Sequence, residues 1–467
     1  MPLETADLVA YRSRGDVELC GGKPEASEAG NGFEGAKCAH GREAAHSSVG
    51  ELYSFIAESF ELDARRFSRR HLGLPGSCKG ELQVVDNPQD TVSCLKERIA
   101  ALAPLIAEQS EAMDRERRLT RPVFQAIADA GLLRLWLPRV MGGWELSPPD
   151  FMAVVESAAA LDGSVGWVVG NGGGMSRAAG YLAEAVARPL FAHADALVVA
   201  TNGAVGDAVP VDGGYRVSGR WPFASGIHHA SLVAPACRVA DASGQGPILL
   251  CYVHAEHAEI IDNWRVSGLR ASGSCDYALS NVFVPVEHTH DMLQPPATQP
   301  GLLYRWPAIS AFSTTVAVVP LGIARATLDT FAGELAARTR AGTSVALRDR
   351  ELIQSEVGRA EVLHAAARAL LLSAMNELTA AMDVGGERLV RARAMYRSAC
   401  THAAESSIRV ADMVSAAAGA ASIWEEHPLE RQLRDIHAAA KHIAMSPNNY
   451  VLAGRISLGL EPGTQRF

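Results

Sequence analysis

The stretch GYRVSGRWPFASG at residues 214–226 is the most informative part of this 467-residue sequence. Its first ten residues form one of several short runs rich in β-forming residues, which begin near Ala196 and are separated by clusters of Gly, Asp and Ser. The other runs read ALVVATN, SLVAPACRV, GPILLCYV and YALSNVFVP. Together these runs predict a β domain over residues 196–295.

The sequence before this β domain has the pattern of helices. In CLKERIAALAPLIAEQSEAMDRE, the apolar Leu95, Ile99 and Ile106 recur on one helical face, with charged residues on the other. The segment SPPDFMAVVESAAALD begins with Ser147 and two prolines, a combination typical of the first turn of a helix. We therefore predict an N-terminal helical domain over residues 91–195.

After the β domain the helical pattern returns. Ile353, Val357, Ala360 and Leu371 form one apolar stripe, and alanine-rich helical sequence follows. The pattern predicts a C-terminal helical domain over residues 296–467, so the order along the chain is helical, β, helical.

The first part of the chain, residues 1–90, lies outside these domains. It contains GGKPEASEAGNGFEG, which has no apolar period that would bury one face. We predict a disordered extension that contains at most one helix, between Val49 and Leu72.

Composition excludes several classes of protein. The chain is 48% hydrophobic and 20% charged with a net charge of −9, and its Lys and Arg residues are scattered, so no nucleic-acid partner is predicted. Charges interrupt the longest apolar stretches before they reach the length of a bilayer span, which argues against a membrane segment. Glu4 and Asp7 stand where a secretory signal would have basic and then apolar residues, and we therefore expect a cytoplasmic protein.

The eight cysteines include no CxxC pair, and four of them, Cys237, Cys251, Cys275 and Cys400, lie singly among apolar neighbours, which favours reduced, mostly structural thiols. Zinc is bound by Cys and His side chains, and the candidate ligands in this chain are Cys20, Cys38, His40 and His46. The long gap before Cys38 fits no standard spacing of zinc ligands, so we predict no metal site.

Common catalytic motifs are absent from the sequence: it has no GxSxG, no HExxH, no P-loop and no GxGxxG after a strand. The nearest approach is GNGGG at residues 170–174, which follows a helical pattern and lacks the third glycine. A flexible loop and a tight helix-packing site are the two interpretations of this run.

Five segments occur in an order shared with a known enzyme family. They are DGSVGW at 162–167, GYRVSGRWPFASG at 214–226, GLRASGS at 268–274, VFVP at 282–285 and HPLERQLRDIHAAAKH at 427–442. The chain resembles the acyl-CoA dehydrogenase superfamily in these segments, over about residues 95–460. The resemblance implies an α+β fold with an N-terminal helical domain, a central β-barrel or β-sandwich domain and a C-terminal four-helix bundle.

A dehydrogenase of this family needs a carboxylate base over the flavin. In most members this base is a glutamate shortly after an Arg-Asp pair, followed by Gly and Thr. Here the pair is Arg434 and Asp435, the matching stretch reads AAAKHIAMS, and the glutamate position falls at about Ile443. The candidates for a relocated base, whose other interpretation is a solvated helix start, are Glu425, Glu426 and Glu430.

His442 resembles the histidine that the monooxygenase branch of the superfamily places beside the isoalloxazine. On a helix that continues through this segment, His442 would lie under Asp435 on the buried face, whereas His437 shares a face with Lys441. The alternative interpretation is a core histidine that is hydrogen-bonded to a carbonyl or to Asp435.

FASG resembles the flavin-contacting strand of these monooxygenases. The resemblance implies that the Ser225 hydroxyl hydrogen-bonds flavin N5 and that Gly226 lets the backbone approach the ring closely. It also implies that Ala224 lies in the flavin site, with Trp221 and Phe223 as walls of the isoalloxazine. For the two aromatic residues, a place in the core is the alternative.

Three further residues carry expectations from the family. Many monooxygenases have a histidine in the loop after the GW motif, but this chain has Asn171, which cannot exchange a proton near neutral pH, and this weakens an inference of phenol hydroxylation. RTRAGTSVALRDRELIQSEVGRA resembles a segment near a subunit boundary, which implies that Arg340 and Gln354 lie near a neighbouring subunit's flavin phosphates. Solvent exposure is the default alternative for this arginine.

The resemblance implies a two-component monooxygenase. It would take reduced FMN or FAD from a separate reductase, since the chain has no nicotinamide-binding motif, and react it with O2 to form a C4a-hydroperoxide that oxygenates a small organic substrate. Family habit implies a homotetramer. The alternatives are an acyl-CoA dehydrogenase or related flavin oxidase, and a non-catalytic member of the fold.

Overall fold

The computed structural model of the protein describes residues 88–241, 246–293, 296–339 and 342–464. The extension over residues 1–90, with its helix and the rejected zinc ligands, falls almost entirely outside the described residues. The rest of the predicted order, helical, β and helical, is confirmed.

Helices form both ends of the described chain. The N-terminal helices are α1 (Pro88–Glu116), α2 (Arg121–Asp129), α3 (Pro148–Leu161), α4 (Gly163–Met175) and α5 (Glu184–Leu190). The C-terminal helices are α6 (Leu302–Arg305), α7 (Ala308–Ala317), α8 (Val319–Thr330), α9 (Glu351–Val384), α10 (Gly386–Ala418), α11 (Pro428–Ala439) and α12 (Asn448–Ser457).

The central domain is a single mixed β-sheet. The family resemblance implied a β-barrel or β-sandwich at this place in the chain. Its strands are β1 (Val198–Val211), β2 (Gly214–Trp221), β3 (Leu232–Val239), β4 (Ile248–Cys251), β5 (Val253–His254), β6 (Glu259–Ile261), β7 (Asp276–Pro285) and β8 (Thr289–Asp291). The order across the sheet is β6-β7-β2-β1-β3-β4-β8, with β5 paired to β3. The pair of β1 with β3 is parallel, and the other pairs are antiparallel.

Helix α3 begins as the sequence predicted. The Ser147 side chain accepts a hydrogen bond from the backbone N–H of Asp150, which satisfies one of the free donors at the helix start. The two prolines that follow cost the helix no hydrogen bond, because the N–H groups of the first turn have no partner within the helix.

The GNGGG run belongs to helix α4, so its interpretation as a flexible loop was wrong and its interpretation as a helix-packing site is confirmed. A Cβ atom at Gly170 would lie 2.2 Å from the Thr315 backbone oxygen, and one at Gly174 would lie 2.3 Å from the Thr315 side chain. Glycine is required at these positions because α4 and α7 approach each other too closely for any side chain.

Three parts of the chain meet at a buried cluster of charged groups, which we call the Asp435 junction. On α11, the Asp435 Oδ1 atom accepts a hydrogen bond of 2.6 Å from the backbone N–H of Leu269, in the loop before β7. Arg431, one helical turn earlier, lies 2.9 Å from Asp162, and Asp162 caps α4 by accepting from the N–H of Val165. Burial raises the pKa of Asp435 above its ordinary value, and the neighbouring arginines oppose that rise.

One helical span is apolar and long enough to pass as a membrane segment on composition alone. It runs over Ala308–Leu335 and includes α7 and α8. However, 78% of its most apolar window is buried inside the fold, which is the position of a core helix.

We expect Gly170→Ala to destabilise the protein by about 1–3 kcal/mol, because the new methyl group overlaps a backbone atom that cannot rotate away. Gly358→Ala is the matched control, since Gly358 also lies inside a helix but has no described atom within 4 Å of the point where its Cβ would lie. Alanine at that position should stabilise by roughly 0.5–1 kcal/mol through helix propensity. Urea unfolding followed by circular dichroism measures both changes, and equal effects of the two substitutions would contradict the packing argument.

Candidate active site

Two of the residues predicted to act in catalysis, Ser225 and His442, lie on either side of the Trp167 side chain. The Trp167 indole N–H donates to Ser225 Oγ at 3.0 Å, and the Trp167 and His442 rings meet edge to face with centroids 5.7 Å apart. Phe312 of α7 closes the other side of His442, with a centroid distance of 5.6 Å. The three domains therefore each contribute a side chain to one site.

Ser225 lies in a turn after β2 that is fastened to the loop before β7. The backbone N–H of Ala224 donates to Cys275 O, and that of Gly226 donates to Ser272 O. Gly226 has a φ of 82°, a left-handed conformation that glycine adopts without strain. These bonds fix the direction in which the Ser225 side chain points.

The Ser225 hydroxyl ends a chain of three serine hydroxyls, which we call the serine chain. Ser225 Oγ lies 2.8 Å from Ser274 Oγ, which lies 2.7 Å from Ser272 Oγ, and Ser272 donates to Leu269 O at 2.7 Å. Each hydroxyl has one proton, so the last bond fixes the others: Ser274 donates to Ser272, and Ser225 donates to Ser274. Ser225 also accepts from Trp167, and it therefore keeps one free lone pair and no free proton.

His442 lies in a turn and not on a helix. Helix α11 ends at Ala439, so the helical spacing from which we placed His442 under Asp435 was wrong. His442 instead caps the short turn Ile443–Met445, and its Nδ1 accepts from the backbone N–H of Ala444 at 3.2 Å. That bond assigns the ring proton to Nε2, so the neutral ring is a hydrogen-bond donor at this atom.

The environment of the His442 ring keeps it neutral. Burial between Trp167 and Phe312 lowers the pKa of His442 to about 4, well below the ordinary value for histidine. Asp435 is engaged with Leu269 and forms no described bond with this ring, so the interpretation of His442 as a core histidine held by Asp435 was also wrong.

Asn171 is placed on α4 one helical turn after Trp167. Its side-chain amide donates to the Trp167 backbone oxygen at 2.8 Å, so it lies in a helix and not in the predicted loop. Asn171 therefore braces the helix segment that carries the indole, and it is half-buried.

The residues around Ser225 differ in their access to a ligand. Trp221 and Ala224 are both 0% exposed, so the prediction that they touch the flavin was wrong. Trp221 packs against Gly206, where a Cβ would lie 2.2 Å from the indole, and its N–H donates to Ala236 O inside the sheet. Phe223 is 68% exposed, with a positive φ of 63°, and remains a predicted wall of the flavin site.

The contacts of Arg340 and Gln354 with the flavin phosphates stay predictions. Arg340 lies outside the described residues. Gln354 is exposed near the start of α9, and its side-chain amide donates to Arg348 O at 2.8 Å.

Among the described residues, no carboxylate lies at this site to act as a base. Ile443 occupies the position at which a dehydrogenase would have its glutamate, and its side chain is 74% exposed. Of the three acidic residues considered as replacements, Glu430 is paired with Arg434 at 2.7 Å, and Glu425 and Glu426 are exposed just before α11. None of the three forms a described contact with His442.

Sequence reasoning missed several residues that build the site. Trp167, Ser272 and Ser274 lie within two of the segments that carry the family resemblance. The resemblance was therefore the available signal for these residues. Nothing in their spacing showed that they connect to Ser225. Phe312 lies in an apolar helix without any distinguishing pattern.

A cleft continues from Phe312 along the same helix. The residues that line it share an apolar or aromatic character, with few polar groups: Trp136, Gly174, Met175, Arg177, Ala178, Tyr181, Leu250, Tyr252, His290, Met292, Ala308, Ile309, Ala311, Phe312 and Thr315. The cleft is a candidate substrate site because Phe312, which lines it, also packs against His442.

Comparison with known proteins places this architecture in one family. The acyl-CoA dehydrogenase N-terminal domain model matches residues 96–185, and the acyl-CoA dehydrogenase C-terminal domain model matches residues 314–447. The segments that carried the resemblance at 162–167 and 427–442 lie within these two matches.

Curated relatives and solved structures agree with these domain matches. An indole-3-acetate monooxygenase of Pseudomonas putida is 29% identical over 350 residues, which is 75% of this chain and 90% of the relative. The flavin-dependent monooxygenase oxygenase subunit HsaA of Rhodococcus jostii is 29% identical over 381 residues, which is 78% of this chain and 98% of the relative.

The solved structure of XiaF from Streptomyces in complex with FADH2 and glycerol has a TM-score of 0.75 and 27% identity, over 81% of this chain and 98% of that one. HsaA of Mycobacterium tuberculosis has a TM-score of 0.73 and 26% identity, over 80% and 99% of the two chains. The chain therefore contains the N- and C-terminal domains of the acyl-CoA dehydrogenase family, and its curated relatives are flavin-dependent monooxygenases.

Proposed function

We propose that this protein is the oxygenase component of a two-component monooxygenase, which binds reduced flavin from a separate reductase and uses O2 to oxygenate a small organic molecule. The observation that carries the proposal is the serine chain, which leaves Ser225 as a hydrogen-bond acceptor beside a neutral His442 donor. The monooxygenase activity of the relatives named above supports it.

The residues present fit a reduced flavin better than an oxidised one. Reduced flavin carries a proton at N5 and is a donor there, whereas oxidised N5 can only accept. Ser225 Oγ has a free lone pair but no free proton, so it matches the N5–H of the reduced form. The exposed Phe223 ring offers an apolar surface for the isoalloxazine.

When bound, reduced flavin supplies the two electrons with which O2 is divided between the oxygenated product and water. With reduced flavin bound, Ser225 would accept a hydrogen bond from N5–H. His442, which stays neutral because burial lowers its pKa to about 4, would donate a hydrogen bond from Nε2–H to an oxygen atom. Trp167 and Phe312 pack against His442 and limit the access of water to it.

A dehydrogenase would need a base at the site, and the described residues offer none. Ile443 has no group that can accept a proton, and the nearest buried carboxylate of the family motif, Asp435, is held by Leu269. The oxygenase function is therefore the better match to the geometry. The reduced flavin is FMN or FAD.

We further propose that the protein assembles as a homotetramer through its C-terminal helices and resides in the cytoplasm. Large apolar side chains are exposed on α9, α10 and α12: Leu352, Val362, Val384, Met395 and Val451. Exposed apolar side chains of this size support an interface on these helices. Gln354 lies on the same helix as Leu352, as expected for a residue near a subunit boundary.

The proposal is tested by mixing anaerobic protein with photoreduced FMN or FAD and admitting O2 by stopped flow. We expect oxidised flavin to appear more slowly than without protein, because the site holds the N5 proton and excludes water. The heat-denatured protein is the control. Oxidised flavin that appears at the rate of free flavin would contradict the oxygenase function, and bleaching of bound FAD by an acyl-CoA would then support a dehydrogenase.

Ser225→Ala removes the acceptor and should weaken binding of reduced flavin by about five- to tenfold, the effect of one lost hydrogen bond of about 1 kcal/mol, without changing the affinity for oxidised flavin. Ser274→Ala frees the Ser225 proton and should instead strengthen binding of the oxidised form. Ser157→Ala is the matched control, because that hydroxyl bonds only to the Ala153 backbone oxygen. Anaerobic and aerobic fluorescence titrations measure both affinities, and equal losses in both redox states would argue against the serine chain as the cause.

Turnover that depends on His442 should be constant from about pH 5.5 to 8, since burial lowers the pKa of His442 to about 4 and the ring stays neutral over that whole range. A histidine with its ordinary pKa would instead change its charge within it. His442→Gln keeps a donor and should retain part of the activity, whereas His442→Ala should release more hydrogen peroxide per flavin oxidised. A step in the wild-type pH profile near 6.5 that disappears in His442→Gln would refute the neutral donor.

A further inference from the structure

The turn that carries His442 is held by a buried amide side chain. Asn449, in the first turn of α12, is only 2% exposed, and its Nδ2 atom donates to Ala444 O and to Thr401 Oγ1, each at 3.0 Å. A backbone carbonyl oxygen can only accept a hydrogen bond, so the amide nitrogen of Asn449 is the atom that faces Ala444. Both protons of this amide are therefore used.

Thr401 of α10 is the second member of this arrangement, and we call the pair the Asn449 clamp. The Thr401 side chain is fully buried, and its single proton goes to Ser446 O at 3.0 Å in preference to Arg397 O of its own helix, at 3.4 Å. Ser398, one turn earlier on α10, donates to the backbone oxygen of Asn449 at 3.1 Å. The clamp thereby ties the turn Ile443–Met445 to α10.

The clamp acts on the residue that sets the tautomer of His442. The N–H of Ala444 donates to His442 Nδ1 at 3.2 Å, and the C=O of Ala444 accepts from Asn449. Among the described residues, this N–H is the only hydrogen-bond partner of the His442 ring. If the Ala444 carbonyl were released, its N–H would turn away from the ring, and nothing else would keep the ring proton on Nε2.

The polar contacts between α10 and α12 are concentrated at the end that faces this turn. Further along the two helices, the contact is made by the buried apolar residues Ala394, Leu452 and Ile456. A buried amide costs free energy unless all its donors are satisfied, and an apolar side chain would pack the helices without that cost. Asn449 therefore does more than join two helices, since its distinctive contact is the carbonyl of Ala444.

We propose that Asn449 is a positioning residue that fixes His442 as an Nε2–H donor by holding the Ala444 backbone. Asn449 acts through the turn and not by contact with a ligand. This inference rests on the proposed function, because the Nε2–H donor is the group that His442 contributes to oxygenation there.

The tautomer of His442 can be measured without flavin, by solid-state nitrogen-15 NMR of the full-length protein with labelled histidine. The His442 signals are those missing from His442→Gln. We expect the wild-type ring to be protonated at Nε2 and unprotonated at Nδ1. Asn449→Asp places an acceptor against Ala444 O and should lower the ratio of this tautomer to the other by about five- to tenfold, the effect of one lost hydrogen bond.

Asn448→Asp is the matched control, because it makes the same change one residue earlier on an exposed side chain. It should leave the ratio of the two tautomers unchanged. Thr401→Val removes the hydroxyl without altering the shape of the side chain and should lower the ratio by about two- to fivefold, whereas Thr401→Ser keeps the hydroxyl and should retain the wild-type ratio. Circular dichroism establishes that each variant is folded, and the Thr401 pair tests the proposal if Asn449→Asp is not.

Hydrogen peroxide released per reduced flavin oxidised measures the consequence for the reaction. Asn449→Asp should raise this release in the otherwise wild-type protein. It should add nothing in His442→Ala, since a residue that acts through His442 loses its effect when the ring is absent.

Three results would overturn the proposal: a wild-type ring protonated at Nδ1, an unchanged tautomer ratio in folded Asn449→Asp or Thr401→Val, and a further rise in peroxide release when Asn449→Asp is added to His442→Ala. A merely structural Asn449 would lower stability without moving the tautomer ratio. If the ratio moves but His442→Ala releases no more peroxide than the wild type, the role of His442 in the proposed function is refuted, while Asn449 stands as the residue that sets its tautomer.

Discussion

The geometry of the site depends on the Asp435 junction. Asp435 holds Leu269 by its backbone N–H, and the carbonyl of the same residue accepts the last bond of the serine chain. Arg431 of the same helix pairs with Asp162, which caps the helix that carries Trp167. One helix thereby sets the relative positions of the Trp167 indole and the Ser274 hydroxyl, which both form a hydrogen bond with Ser225.

Helix α4 links the two halves of the site. Trp167 near its middle bonds Ser225, and Arg177 in the turn that continues it lines the cleft. The glycines between them let the helix lie directly against α7, which brings Phe312 between the cleft and His442. A bulkier helix would separate the cleft from the residues around Ser225, so the small residues serve function through packing.

Much of the fold could be predicted from local patterns, because apolar periods, proline positions and the Ser147 cap act over a few residues. The end of α11 could not, since no glycine or proline marks Ala439, and this placed His442 wrongly. Trp221 was misjudged because only the sheet contacts show that Gly206 encloses it. The burial of Arg177 could not be predicted either, because an arginine in a helical pattern is usually solvated.

The serine chain also has a property as a path for protons. It ends at a backbone carbonyl oxygen, and no member titrates near neutral pH, so a proton that enters at Ser225 has no acceptor at the far end. The chain behaves as a fixed dipole and not as a proton wire. Protons released during turnover must therefore leave by a route other than the serine chain.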